Sequence, residues 1–381
     1  MDKKKKKVLV AMSGGVDSST TVLLLKEQGH DVVGAFMNLG VNQEEAQNTA
    51  RRVCQYLNIK FYPINFARQF KKEIIEYFLN SYSLGLTPNP CVKCNQLIKF
   101  GELLRKASSL NCDYLATGHY ANVELRIMNE ECDSGQNAIH QQAEKNAKFI
   151  YKLFRGKDKG KDQSYFLYNL KQEQLRNILF PLGEYTKEEV RKIANQAGLP
   201  YLKKESQDVC FLSGDHNDFL RKHIKLKPGL IKVILPRVKE GVRREFKVVG
   251  QHQGLPLYTI GQRKGIEIGG VGPFYVLKAD YKTNILYVAS NANDPNLYRD
   301  NLIASQVSWI VGVKPKLPLK CQAVIRYRHQ PVDCVIKKKK TGKALIVQFK
   351  KPQRAITPGQ SVVFYKGEEV LGGGVIGGSE L

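Results

Sequence analysis

The chain has 381 residues, room for two or three domains with a core each, and its apolar fraction of 42% is ordinary for a globular protein. A formal charge of +25 and a pI near 9.6 favour a polyanionic partner, because each phosphate neutralised by lysine or arginine releases counterions. No apolar run reaches the roughly eighteen residues of a membrane span, and no apolar stretch follows the opening lysines as in a secretory signal, so a cytoplasmic protein that stays off the membrane is expected.

Taken in order, the first third alternates between periods. Strands are expected over residues 8–12, 31–37, 60–64 and 114–117, with helices over 18–28, 44–57, 68–82 and 95–110. Such alternation predicts a parallel sheet with helices on both faces. The stretch Ala11-Met12-Ser13-Gly14-Gly15-Val16-Asp17-Ser18 joins the first strand to the first helix. Paired glycines let the backbone approach a ligand, and the N–H groups of a helix start form a nest for anions. Ser13 and Ser18 add hydroxyls, so the stretch reads as a phosphate cradle. It lacks the lysine of the common P-loop and the spacing of G-x-G-x-x-G. Its spacing S-G-G-x-D-S resembles the PP-loop of ATP pyrophosphatases, in which Asp17 can orient Mg²⁺ on the pyrophosphate.

Two prolines break regular structure in Thr87-Pro88-Asn89-Pro90-Cys91-Val92-Lys93-Cys94-Asn95. Asn95 is expected to cap the next helix, which would place Cys94 just ahead of a helix N-terminus and lower its thiol pKa. The Cys91/Cys94 pair also fits half of a zinc or iron–sulfur site. A closed zinc site needs four ligands, and there is no second C-x-x-C. Residues 128–148 are polar and aperiodic and read as a surface insertion. Lys161-Asp162-Gln163-Ser164-Tyr165-Phe166 follows, then a capping box at Thr186 and Glu189, then Cys210 within a polar stretch. From residue 227 the strands shorten and turns multiply. A small β-rich unit is expected over 228–289, then a small antiparallel barrel with strands such as 323–327, 333–337 and 345–349.

Together these pieces resemble the tRNA-specific 2-thiouridylases, of the PP-loop ATP pyrophosphatase superfamily. The likeness covers nearly the whole chain. It rests on the Ala11 to Ser18 loop, Thr87 to Asn95, Ala116-Thr117-Gly118-His119-Tyr120, Lys161 to Phe166, Ser206-Gln207-Asp208-Val209-Cys210-Phe211, Tyr258 to Gly265, and Pro358-Gly359-Gln360. The implied fold class is α/β: a Rossmann-like parallel-sheet PP-loop domain (residues 1–212), a small β-rich central domain (213–300) and a C-terminal antiparallel β-barrel (301–381) that contacts tRNA.

The resemblance also implies roles. Cys94 matches the nucleophile and Cys210 the persulfide-bearing cysteine. The loop from Ala11 to Ser18, with Met37 and Gly118, matches ATP contacts. Asn89, Pro90 and Cys91 match the segment beside the target base. Lys161, Asp162, Gln163, His119, Arg326, Tyr327 and Gln360 match tRNA contacts, and neighbouring Arg328 is expected to add charge there. ATP and Mg²⁺ are the implied cofactors, with no metal held by protein ligands. The implied partners are tRNA and a persulfide donor protein. Some relatives carry Asp where Cys91 stands, which leaves Cys91 a rival thiol. The implied reaction is adenylation of the wobble uridine at C2, then sulfur transfer, giving 2-thiouridine, AMP and pyrophosphate. Rival readings are an ATP-dependent synthetase, an iron–sulfur tRNA cytidine thiolase and a non-catalytic RNA-binding protein.

Overall fold

A computed structural model describes residues 5–128, 148–203, 209–212, 214–235, 245–266, 268, 273–339 and 342–377. Strands β1 (Lys7–Met12), β2 (Asp31–Asn38) and β3 (Lys60–Asn65) alternate with helices α1 (Val16–Glu27) and α2 (Glu44–Tyr56). With β4 (Tyr114–Ala116) and β7 (Ile178–Leu179) they form a parallel sheet of order β3-β2-β1-β4-β7. Both faces are covered, so β1 is apolar on both sides: Leu9 packs into one core, Val8, Val10 and Met12 into another.

Two long helices lie beyond the sheet. The first runs through α3 (Ala67–Phe70), a π-helical turn (Lys71–Ile75) and α4 (Glu76–Ser83). The second runs through α5 (Pro90–Cys94), a π-helical stretch (Asn95–Leu103) and α6 (Leu104–Ser109). The second starts earlier than expected. Asn89 is its N-cap and accepts from Val92 N at 3.4 Å, and Pro90 takes the first helical position, where its missing N–H costs nothing. Pro88 and Pro90 thus initiate this helix instead of extending the loop. Cys94 and Asn95 lie inside the helix, which overturns the expected cap at Asn95.

An unexpected hairpin follows β4. Strands β5 (Ala121–Met128) and β6 (Lys148–Arg155) pair antiparallel from Ala121↔Arg155 to Met128↔Lys148. The surface insertion expected at 128–148 lies between these strands in sequence, and 129–147 lie outside the described residues. The same holds for Ser206, Gln207 and Asp208. The short helix α7 (Gln172–Leu175), α8 (Lys187–Gln196) and α9 (His216–His223) complete this region.

Strands β8 (Gly229–Ile234), β9 (Phe246–His252), β10 (Tyr275–Asp280) and β11 (Ile285–Ala289) form a second sheet, order β10-β11-β8-β9, over its own small core. Strands β12 (Tyr298–Trp309), β13 (Leu319–Val324), β14 (Val332–Lys338), β15 (Leu345–Arg354), β16 (Ser361–Lys366) and β17 (Glu369–Ile376) form an antiparallel barrel, closed because β12 pairs with both β15 and β17. The strand expected over 323–327 ends sooner, at Val324, where the chain bends and then turns through Arg328, whose φ is +65°. Strand β17 also pairs with β6, so the hairpin ties the barrel to the parallel sheet.

Candidate active site

Strand β1 pairs with β2 on one side and β4 on the other. The loops after β1 and β4 therefore diverge at a topological switch point, where open α/β sheets bind ligands. The loop after β1 is held by its own side chains. Ser13 N donates to Ser18 Oγ at 3.1 Å, and Ser18 Oγ donates to Gly15 O at 3.1 Å. Gly14 has φ +77°, and a Cβ there would lie 2.5 Å from Ala46 O, so only glycine fits. Gly15 caps α1, whose first N–H groups lack intrahelical partners and are available to an anion. Ala11 and buried Met12 end the strand beneath; Val16 is buried, and Met37 is half-buried at the end of β2.

Asp17 is differently placed than its motif suggested. Lys187 Nζ reaches both carboxylate oxygens at 2.7 Å, and Tyr120 Oη donates to one at 2.8 Å. The carboxylate is thus engaged by a cation of the protein itself. Gly118 lies against it: a Cβ there would fall 2.9 Å from Asp17 Cβ and 3.0 Å from Ser18 N. The missing side chain at Gly118 is explained by this close approach. Sequence reasoning missed Lys187 and Tyr120; the capping box at Thr186 located the helix start but nothing in it points to Asp17.

The two expected reactive cysteines lie within electrostatic range of each other. Each lies near Lys99, whose charge draws both thiols down, and Cys94 also feels Cys210 and Cys91. Burial outweighs these influences at Cys94 and pushes its thiol up to about 12. That reverses the lowering expected of a helix N-terminus, because Cys94 lies inside a continuous helix and not ahead of its first turn. Cys210 is exposed, yet its surroundings also raise its thiol. Phe211 anchors it, packing edge-on against Phe70 and Phe78.

Lys99 is the residue that sequence reasoning missed here. Hydrogen bonds in a π-helix span five residues, so Lys99 follows Cys94 by about one such turn. Its Nζ lies 3.5 Å from Nε2 of buried His119. An ammonium only donates, so Nε2 accepts and Nδ1 carries the proton toward Thr117 Oγ1 at 2.6 Å. Burial, aided by the Lys99 charge, holds His119 well below the usual histidine range.

Several expected tRNA contacts turn inward. His119 is 7% exposed. Asp162 accepts from Gly156 N, Ser164 N and Ser164 Oγ, fixing its own turn. Gln163 Oε1 accepts from Tyr120 N at 3.1 Å. Arg326 Nη2 donates to Ala355 O at 2.7 Å, Thr357 Oγ1 at 2.8 Å and Ile260 O at 3.2 Å, joining the barrel to the second sheet. Gln360 Nε2 donates to Thr87 O at 3.0 Å. Lys161 and Tyr327 are half-buried, and Tyr327 packs on Phe166 with exposed Arg328 above its ring. Among the described residues, no three His, Cys, Asp or Glu side chains are grouped to hold a metal ion, and no helix is long and apolar enough to cross a membrane.

Comparison with known proteins matches three family models in succession: a tRNA methyl transferase HUP domain over residues 6–214, a tRNA methyl transferase PRC-barrel domain over 217–290, and an aminomethyltransferase β-barrel domain over 299–376. The chain is 43% identical to the tRNA-specific 2-thiouridylase MnmA of Geobacillus thermodenitrificans, covering 93% of this chain and 90% of that one. It is 43% identical to the protein of that name from Roseiflexus sp., covering 93% and 94%. Against that of Protochlamydia amoebophila the identity is 41%, covering 93% and 88%.

Proposed function

The chain belongs to the tRNA-specific 2-thiouridylases, tRNA-uridine 2-sulfurtransferases, and from that premise we propose that it thiolates the anticodon wobble uridine at C2 through an adenylated intermediate and a two-cysteine sulfur relay. The observation that supports the relay best is the convergence of Cys94 and Cys210, far apart in sequence, beside one lysine. ATP phosphates belong at the nest formed by Ser13 to Ser18. The uracil C2 oxygen attacks the α-phosphate and pyrophosphate leaves, turning a poor leaving group into AMP. The nest's N–H groups receive the departing charge.

Cys210 carries a persulfide received from a donor protein. Its terminal sulfur attacks C2 and expels AMP. Cys94 thiolate then attacks Cys210 Sγ, forming a Cys94–Cys210 disulfide and releasing the thiocarbonyl. The sulfane sulfur gains two electrons and the cysteine pair loses two, so a dithiol reductant must reset the pair. The uridine must leave the anticodon stack to reach these groups. In the ligand-free protein the loop's carboxylate is engaged by Lys187 and Tyr120; Mg²⁺ would enter with the ATP phosphates and would offset their charge. We assign this work to the cytoplasm, where ATP and tRNA are both present.

The test is direct. Protein, tRNA, ATP, Mg²⁺ and a persulfide donor are incubated, and the digested tRNA is searched for 2-thiouridine by mass. Its absence, with AMP formation intact, would overturn the sulfur-transfer half. An anaerobic absorbance band of iron–sulfur type would favour the cluster-dependent rival.

A further inference from the structure

The loop that receives polyphosphate contains Asp17, and a bare carboxylate there would repel the ligand. The structure supplies a counter-charge from another part of the chain. Lys187 Nζ sits 2.7 Å from each carboxylate oxygen, and its side chain is 11% exposed. Lys187 is the first residue of α8, beside the Thr186 cap. A helix N-terminus favours anions, so a cation there is at the unfavourable end of the dipole. Glu188 and Glu189 in the same turn follow the usual preference. Lys187 departs from it, and its backbone N–H is fixed by Asp158 Oδ2 at 2.9 Å, which aims the side chain across to α1. Tyr120 Oη and the close approach of Gly118 enclose Asp17 from the side of β4.

Resting on the reading that this loop holds ATP, we infer that Lys187 is a positioning residue that neutralises Asp17, so that the nest presents net positive potential to the phosphates, and that Asp17 is a clamp between α1 and α8 and not a metal ligand. Removing Lys187, the enclosed partner of this pair, leaves the Asp17 carboxylate uncompensated, whereas removing both charges does not. The signature is therefore a rescue.

The test measures binding of Mg²⁺ with α,β-methylene-ATP, which cannot be split between those phosphates, to the full-length protein by calorimetry, with thermal melting alongside. Lys187→Met should weaken affinity about tenfold or more, and Asp17→Asn/Lys187→Met should recover to within about threefold of wild type. Asp17→Asn alone should keep the wild-type dependence of affinity on Mg²⁺, and this arm stands even where Lys187→Met fails to fold. Failure of the double variant to recover would overturn the inference, since it would mean that Lys187 contacts phosphate itself. Loss of the Mg²⁺ dependence in Asp17→Asn would also overturn it. No nucleotide binding by wild type would instead remove the ATP reading on which it rests.

Discussion

Gln360, in the barrel, donates from Nε2 to the carbonyl oxygen of Thr87, at the entrance to the helix that bears Cys94, at 3.0 Å. Thr87 N donates back to Pro358 O at 2.9 Å, and a Cβ at Gly359 would lie 2.8 Å from that nitrogen. The barrel therefore grips the segment that sets Asn89 as N-cap and so fixes where Cys94 sits. Gln360→Ala should lower the rate of thiolation on the order of tenfold, because small misplacements of reacting groups are costly. Its effect on tRNA affinity should be smaller. Single-turnover rates beside filter-binding affinities check this, and a loss confined to affinity would restore the direct tRNA contact that resemblance implied.

Arg326 and Arg328 should separate in the same way. Arg326 spends one nitrogen on three acceptors inside the protein, while Arg328 is exposed above Tyr327. Arg326→Ala should destabilise the fold by about 2 kcal/mol, typical for hydrogen bonds to a charged group, and leave the salt dependence of tRNA binding unchanged. Arg328→Ala should flatten the slope of log affinity against log salt by about one, with little change in melting temperature. Slopes unchanged from wild type in both variants would show that neither meets a phosphate.

Four of the five strands of the parallel sheet were legible as short runs beside a helical period, while two-residue β7 was too short to show one; the loop at Ser13 to Ser18 was legible because glycine pairs have few other uses at a strand end. The helix start at Asn89 was obscured by the prolines, which both break helices and begin them. The β5–β6 hairpin was obscured because its strands are far apart in sequence and mixed in polarity. Lys187 and Lys99 were not legible at all. One pairs with a residue far away in sequence, and the other depends on a π-helical turn that no residue pattern announces.

The Cys94 thiol should be sluggish in the ligand-free enzyme. Burial raises it to about 12, so at neutral pH it is protonated and a poor nucleophile. Its alkylation by iodoacetamide, followed by mass spectrometry, should rise with pH well beyond the range about 8.5 where a free thiol levels off. The linkage has a definite sign. A raised folded-state value means that the folded protein holds this proton more tightly, so its contribution to stability is full below about 8.5 and is lost as pH rises toward about 12. Cys94→Ala should blunt part of the alkaline loss. Rapid labelling of Cys94 at neutral pH would contradict the burial effect.

The sulfur relay makes the most exacting demand on named residues. Cys210 is exposed and anchored through Phe211, so it can meet a donor, whereas Cys94 lies half-buried in the helix beside the expected base site. Cys210→Ser should still release pyrophosphate with tRNA and ATP yet form no 2-thiouridine. Cys94→Ser should accept sulfur on Cys210 and attack the adenylated base, but the base should remain joined to Cys210 through a disulfide, since nothing then cleaves it. That adduct is a tRNA–protein conjugate, visible on a denaturing gel and released by dithiothreitol. Wild type after one turnover without reductant should show a Cys94–Cys210 disulfide by peptide mapping. Cys91→Ser should retain measurable activity, because Cys91 sits a turn earlier on the helix and the scheme requires only one resolving thiol. An inactive Cys91→Ser beside an active Cys94→Ser would exchange the roles within that pair. Normal thiolation by Cys210→Ser with a persulfide donor would remove the relay altogether.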